Sequence, residues 1–264
     1  MDLGLKGKRA LVTGSTAGIG LATARALASE GAQVTVNGRM EARVGRAVDR
    51  LKSELSGATV DGIVADLGSA GGCQTLIGRL PDVDVLVNNL GIFEPKPFEE
   101  IPDEDWLRFF ETNVLSGVRL SRHYVRGMRK RNWGRIVFVS SESALQIPAE
   151  MIHYGMTKTA QLAVSRGLAE TLTGTGVTVN SVLAGPTASE GVGEFVARMA
   201  ATRGVDPATV EREFFATARP SSVIKRFATP DEVAAMITYV CSARASATTG
   251  AALRVDGGVV RAIV

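Results

Sequence analysis

Seven short apolar runs punctuate the chain: "RALVTG" from residue 9, "QVTVNG" from 33, "VDGIVADL" from 60, "VDVLVNN" from 83, "RIVFVS" from 135, "VTVNSVL" from 177 and "AALRVDGG" from 251. Valine, isoleucine and leucine fill these runs almost continuously, the pattern of parallel strands covered on both faces. Stretches with helical periodicity separate them, among them the long "PDEDWLRFFETNVLSGVRLSRHYV". The pattern predicts an α/β fold, a three-layer, doubly wound parallel sheet of seven strands with helices on both faces. Ligands of such sheets sit in the crevice at the carboxyl ends of the strands. One segment breaks the rhythm: residues 186–227 carry two helical patterns, "EFVARMAATRG" and "PATVEREFFATA", where a short connection is usual. It is expected to be a lid over the substrate.

No repeat, low-complexity tract or Pro/Gly/Ser-rich linker divides the 264 residues, so residues 1–264 are expected to form a single domain. A net charge of +3 is too small to favour nucleic acid or a membrane surface as a partner. Cys73 and Cys241 fall in no CxxC or Cys/His pairing, which argues against a zinc site or a disulfide scaffold and fits a reducing compartment. With no cleavable leader and no apolar stretch approaching the ~20 residues needed to cross a bilayer, a soluble cytoplasmic protein is expected. His123 has no partner at ligand spacing, and His153 reads as packing; no metal is expected.

"LVTGSTAGIG" puts Gly14, Gly18 and Gly20 at the turn from the first strand into the first helix. Free N–H groups and the helix dipole there make an anion site that suits a pyrophosphate, although GxxxGxG equally fits a tight turn with close helix packing. At the end of the second strand, where this architecture reads the adenosine ribose, stand Asn37, Gly38 and Arg39. None is a carboxylate suited to a free 2'-hydroxyl, and Arg39 offers a donor fork for a 2'-phosphate. NADP is expected before NAD.

From Leu5 to Gly258 the chain resembles the short-chain dehydrogenase/reductase family in its short single-domain form, and within it the 3-oxoacyl-(acyl carrier protein) reductases. The resemblance is carried in order by "TGSTAGIG", "ADL", "NNLG", "ETNV", "VFVSSESA", "YGMTK" and "VDGG". It implies the Rossmann fold and a catalytic set of Asn113, Ser141, Tyr154 and Lys158, with the serine thirteen residues before the tyrosine, which selects Ser141 over Ser140 and Ser143. For the cofactor it implies the loop Gly14, Ser15, Thr16, Ala17, Gly18, Ile19 and Gly20. Asp66 and Leu67 would meet the adenine edge. Asn89, Leu90 and Gly91 would lie near the ribose, and Gly185 and Thr187 (with Ser189 as a further candidate) near the nicotinamide, which Tyr154 and Lys158 also approach. Three positions depart from the family pattern: Leu90 in place of alanine, Ala184 before Gly185 in place of proline, and Ala17 where many NADP-preferring members carry a basic residue.

Tyrosine titrates near ~10, too high for proton exchange at neutral pH unless its anion is stabilised. Lys158 follows Tyr154 at i+4, on the same helix face, where its ammonium would favour phenolate. Reduction would deliver hydride to a ketone carbon while Tyr154 protonates the oxygen and Ser141 holds it. By resemblance, Asn113 would hold a water that passes protons between Lys158 and solvent.

Phe93, Gln146, Ile147 and Met151, with Phe195, Met199, Phe214 and Phe215 of the lid, are candidate pocket residues whose apolar balance leans towards a lipophilic carbonyl compound. A 3-oxoacyl thioester is one option, with an acyl carrier protein as candidate partner for the basic stretch "RHYVRGMRKRNWGR"; a solvated helix face is the plainer reading of those arginines. A sugar or polyol dehydrogenase is the alternative within the family, and a silent dinucleotide-binding sensor or scaffold the alternative outside catalysis. The resemblance further implies a homo-tetramer, with a dimer second.

Overall fold

The computed structural model describes residues 1–263, the side chains of Glu194 and Phe195 excepted, so the expectation for Phe195 lies outside the described residues. All seven apolar runs form strands: β1 (Arg9–Val12), β2 (Gln33–Gly38), β3 (Val60–Val64), β4 (Val85–Asn88), β5 (Gly134–Ser141), β6 (Val177–Ala184) and β7 (Ala252–Val255). They pair in the order β3-β2-β1-β4-β5-β6-β7, every pair parallel. Winding runs outward from β1 to β3, then restarts at β4 on the other side of β1. The break between β1 and β4 is the switch point at which a crevice opens.

Alternation within each strand divides the buried side chains into two cores. Ala10, Val12, Val85, Val87, Val137, Val139 and Val182 face one core with α1 (Gly18–Ser29) and α9 (Pro230–Cys241). Leu11, Leu86, Ile136, Phe138 and Val179 face the other, with α3 (Ala70–Arg79) and α5 (Ser116–Lys130). Both faces are covered, which is why the runs could be apolar throughout. Cys241 lies in the first core and Cys73 in the second, both as free thiols. The other α-helices of the described residues are α2 (Glu41–Glu54), α4 (Asp103–Phe110), α6 (Ile152–Glu170), α7 (Glu190–Arg203) and α8 (Pro207–Thr217).

The stretch that reads as one long helix before β5 is two. A π turn, Glu111–Leu115, joins α4 to α5 and holds Asn113; such turns free a backbone carbonyl from the helical ladder. The 186–227 excursion contains α7 and α8, and its ends meet. Thr187 bridges to Ala228, the Ala188 N–H donates to the Ala228 carbonyl at 2.8 Å and the Ala228 N–H to the Pro186 carbonyl at 2.9 Å. Phe214 and Phe215 pack with Phe227, ring centroids 5.1–5.2 Å apart, so these two expected pocket residues serve the excursion's own interior. No helix among the described residues is long and apolar enough to cross a membrane.

At the edge of β5 remote from its carboxyl end, Arg135 is 2% exposed. Its guanidinium donates to the carbonyls of Ser242 (2.9 Å), Gly134 (2.8 Å) and Gly176 (3.0 Å) and lies 4.6 Å from the Trp133 ring centroid. Burial lowers its pKa, yet it ties three segments that would otherwise present orphaned carbonyls. Arg135→Ala is expected to cost roughly 2–4 kcal/mol in a urea unfolding curve. Activity per folded molecule should stay as in the parent, because the site lies at the other edge.

Candidate active site

Backbone conformation makes the glycine loop. Gly14 (φ 60°) and Gly18 (φ 54°) occupy the left-handed region, which favours glycine. A Cβ on Gly20 would lie 2.5 Å from Asn89 Nδ2 and 2.6 Å from the Gly14 carbonyl, so the packing itself demands glycine there. Asn89 Nδ2 staples the loop by donating to the Thr13 and Gly14 carbonyls at 2.9 and 3.0 Å. Ala17 caps α1 without a side-chain bond, and no acidic residue stands in its first turn. The N–H groups at this helix end therefore point, unspent, into the crevice, a cradle for an anion.

The neighbouring positions divide by where their side chains go. Thr16, Ala17, Gly18 and Ile19 are partly exposed, whereas Ser15 and Asn37 are buried. The Ser15 hydroxyl donates to the Val12 carbonyl, and Asn37 Nδ2 donates to the Ile63 and Ala65 carbonyls of the β3 side. Those two side chains knit β1, β2 and β3 together and do not face the groove. Gly38 gives room to the Thr16 methyl, 2.6 Å from where a Cβ would stand. Arg39 is exposed and has no acidic partner among the described residues. Asp66 is exposed, while Leu67 is buried in the second core. Leu90 packs on Gly14, Gly91 lies beside Lys158 Nζ, and Ser189 lies against Gly18. At the β6 end, the Gly185 N–H donates to the Val255 carbonyl and the Thr187 hydroxyl to the Gly185 carbonyl.

Ser141 ends β5, and Tyr154 and Lys158 sit in the first turns of α6, all at the carboxyl edge. The alternatives to Ser141 are committed elsewhere: the Ser140 hydroxyl donates to the Lys158 carbonyl at 2.9 Å, and Ser143 is buried with its N–H on Ser141 Oγ at 3.1 Å. Lys158 Nζ is 5.6 Å from the Tyr154 ring centroid and donates to the Val139 carbonyl at 2.9 Å. Burial pushes this ammonium down to about 8, against the opposing pull of Glu142. Tyr154 is raised above the ordinary tyrosine value, first by burial, with the Glu142 charge adding to the rise and Ser141 opposing it. Stabilised phenolate thus requires more positive charge than Lys158 supplies in this state. Phe93 meets Tyr154 edge-on at 6.3 Å. Gln146 and Ile147 are exposed, and Met151 and Met199 are partly buried.

Asn113 is held from four directions. Its Oδ1 accepts the Ile92 N–H (2.8 Å), its Nδ2 donates to the Ile92 carbonyl and to Thr157 Oγ1 (3.0 Å each), and its own carbonyl accepts Gln161 Nε2 at 2.6 Å. The acceptor that the π turn exposes is therefore filled by a side chain of α6. His153 is 1% exposed and packed between Phe109 (4.1 Å) and Trp106 (5.9 Å), in line with a packing role. No cluster of metal-ligating side chains occurs among the described residues.

Two charged side chains that sequence reasoning passed over complete the site. Glu142, 4% exposed, accepts the Ser141 hydroxyl on Oε2 and Arg219 Nε on Oε1 at 3.0 Å. Arg219, 8% exposed, follows α8 and also donates to Glu150 at 3.2 Å. A carboxylate directly after the serine in "SSESA" was the available signal for Glu142; nothing near Arg219 in sequence marks it.

Residues 14–260 match the family model described as enoyl-(acyl carrier protein) reductase, one of the short-chain dehydrogenase/reductase group. The chain is 48% identical over 263 residues to the uncharacterized oxidoreductase YvaG of Bacillus subtilis, with all of both chains covered. It is 33% identical over 262 residues to D-beta-hydroxybutyrate dehydrogenase of Cupriavidus necator, covering 96% of this chain and 98% of the relative. The crystal structure of L-sorbose reductase from Gluconobacter frateurii, complexed with NADPH and L-sorbose, superposes with a TM-score of 0.93 at 32% identity over the whole of both chains. On sequence and on fold alike, the chain belongs to the short-chain dehydrogenase/reductase family of oxidoreductases, which act on alcohol and ketone groups with NAD(P).

Proposed function

We propose that this oxidoreductase uses NADP(H) to interconvert a ketone and a secondary alcohol, with Asn113, Ser141, Tyr154 and Lys158 as its working set. The observation that carries the reading is the convergence of Ser141 and Tyr154, with Lys158 buried behind them, on the sheet edge where the glycine loop opens. The cradle at Gly14, Gly18 and Gly20 fits a pyrophosphate. Arg39 fits a 2'-phosphate, and none of Asn37, Gly38 and Arg39 is a carboxylate that would take the ribose hydroxyl. The NADPH bound in L-sorbose reductase supports the same choice. A silent sensor would need the loop but not a tyrosine, serine and buried lysine gathered beside it.

When bound, the nicotinamide supplies or accepts hydride at the carbonyl carbon. The chain's own groups manage the oxygen. Ser141 positions it, Tyr154 gives it a proton during reduction and takes one during oxidation, and the charge of Lys158 offsets the phenolate that results. Asn113 pins the π turn to α6 through Thr157, the residue before Lys158, and so fixes the lysine's approach.

The buried Glu142–Arg219 pair gives the cleft a polar wall next to Ser141, which favours a small hydroxylated ketone, the sugar or polyol alternative, over a lipophilic chain. The exposed rim of Phe93, Leu145 and Ile147 is what favours a 3-oxoacyl thioester. An acyl carrier is the weaker partner within one subunit, because α5 ends at the sheet edge opposite Ser141 and Arg131 there is paired with Asp82 and Asp84. Exposed Leu107 and Phe110 on α4 support assembly, read as a homo-tetramer, and the buried free thiols fit the cytoplasm. The 186–227 excursion, within a single domain, is read as the substrate lid.

NADPH oxidation followed by absorbance against L-sorbose, acetoacetate and an acetoacetyl thioester tests the reading and ranks the substrates. Tyr154→Phe should lower kcat roughly 10²–10⁴-fold while NADPH still binds. Retained turnover in that variant would contradict the mechanism. Arg39→Ala should raise the KM for NADPH roughly tenfold or more and leave NADH almost unaffected, since one charge-assisted bond is worth about 1.5–3 kcal/mol. Light scattering at working concentration should report four subunits; a monomer would rule out the assembly.

A further inference from the structure

Residues 142–151 connect Ser141 to α6, with a carboxylate near each end: Glu142 follows Ser141 directly, and Glu150 stands four positions before Tyr154. The middle of the segment, Leu145 to Ile147, is exposed. One guanidinium bonds both carboxylates, Arg219 Nε to Glu142 Oε1 at 3.0 Å and Nη1 to Glu150 Oε1 at 3.2 Å. Other ties reach one end each: Thr159 Oγ1 donates to the Ala144 carbonyl at 2.8 Å, and the Lys96 N–H to the Glu150 carbonyl at 3.0 Å. Arg219 is itself fixed to the 186–227 excursion. Its N–H donates to the Phe214 carbonyl at 3.0 Å and its Nη1 to the Ala218 carbonyl at 2.8 Å, while the guanidinium lies 5.9 Å from the Phe214 ring centroid. Phe214 in turn stacks on Phe227, so the aromatic interior of the excursion backs the guanidinium. Glu142 is buried and needs a countercharge, whereas the side chain of Glu150 is half-exposed and is reached because a guanidinium is a planar fork. A point charge in the same place would pair with the first carboxylate and miss the second.

We propose, resting on the oxidoreductase reading above, that Arg219 is a positioning residue: by clamping the carboxylates at both ends of residues 142–151 it sets the spacing between Ser141 and Tyr154. It acts through those carboxylates and not on the reacting atoms. Glu142 Oε2 accepts the Ser141 hydroxyl, so a shift of Glu142 is a shift of the serine. Glu150 sits in the short turn Ala149–Met151 that runs straight into α6, so a shift there passes to Tyr154 in the first turn of that helix. A misplacement of about 1 Å between reacting groups can cost roughly 10²-fold in rate. The clamp is complete only while the end of the excursion is seated, which ties the working geometry of the serine and tyrosine to the docking of a segment that contains neither.

The test uses the full chain with NADPH and whichever of L-sorbose, acetoacetate and the acetoacetyl thioester turns over fastest. Arg219→Lys keeps a cation beside Glu142 but loses the fork, and should lower kcat about tenfold or more, with the KM for NADPH and the urea midpoint as in the parent. Glu150→Ala, which cuts the outer arm alone, should lower kcat about threefold in the parent and not at all in Arg219→Lys. The double variant Glu142→Gln/Arg219→Met leaves no buried charge unpaired and should lose at least as much as Arg219→Lys. A second readout needs no substrate. The chain has three tyrosines, and fluorotyrosine NMR, assigned with Tyr154→Phe, should show the Tyr154 resonance moved in Arg219→Lys while Tyr124 and Tyr239 keep theirs. A parental kcat or an unmoved Tyr154 resonance, in whichever of Arg219→Lys and the double variant keeps the parental urea midpoint, overturns the clamp; so does a parental kcat in Glu150→Ala. With Tyr154→Phe inactive, each of those results leaves the oxidoreductase reading intact. Turnover in Tyr154→Phe contradicts both.

Discussion

The site depends on how β1 and β4 are joined at the switch point. Parallel pairing brings Thr13 beside Val87, and the chain then has to leave the sheet in opposite directions from two adjacent strands. The gap is held open by side chains rather than by the ladder. Thr13 Oγ1 accepts the N–H groups of Asn89 and Leu90, and Asn89 Nδ2 returns two bonds to the Thr13 and Gly14 carbonyls. With those carbonyls spoken for, the N–H groups of the α1 terminus are what the loop presents to the crevice, and it presents positive potential without a basic side chain. Every later element of the site is placed relative to that opening.

The same economy of donors governs the reacting edge. Several buried polar groups there are paired, Ser140 on the Lys158 backbone, Asn113 on Ile92 and Thr157, Gln161 Nε2 on Asn113, Glu142 on Arg219, whereas Gln161 Oε1 and both ring nitrogens of His153 have no partner among the described residues. Such a network costs desolvation and returns it where its members are paired, which holds the geometry around Ser141. Tyr154 is partly buried, with the ring of an exposed Phe93 edge-on to its own.

Much of this was legible beforehand, and the reasons differ by element. The strands were readable because double coverage makes them apolar on both faces, so no alternation had to be phased. Ser141 could be separated from its serine neighbours only by spacing to Tyr154; the structure supplies the physical reason, a committed Ser140 hydroxyl. The π turn at Asn113 was hidden because its residues keep helical periodicity on either side while the ladder slips by one. Asn37 looked like a groove residue from its place after β2, yet its amide turns inward to two carbonyls. Arg219 was invisible because its partner Glu142 lies 77 residues away, and ion pairs across that distance leave no local trace.

The closure of the excursion by Thr187 and Ala228 carries a consequence for how such a protein changes over time. An insert whose two ends are already hydrogen-bonded to each other adds little loop-closure entropy when it lengthens or shortens, since that term grows only with the logarithm of length. The helical hairpin above the bridge can therefore be rebuilt, residue by residue or wholesale, while the sheet beneath keeps its register. Divergence in what the enzyme accepts can accumulate in that hairpin at small cost to folding, with Arg219 as the fixed point through which any new version must still reach the chemistry below.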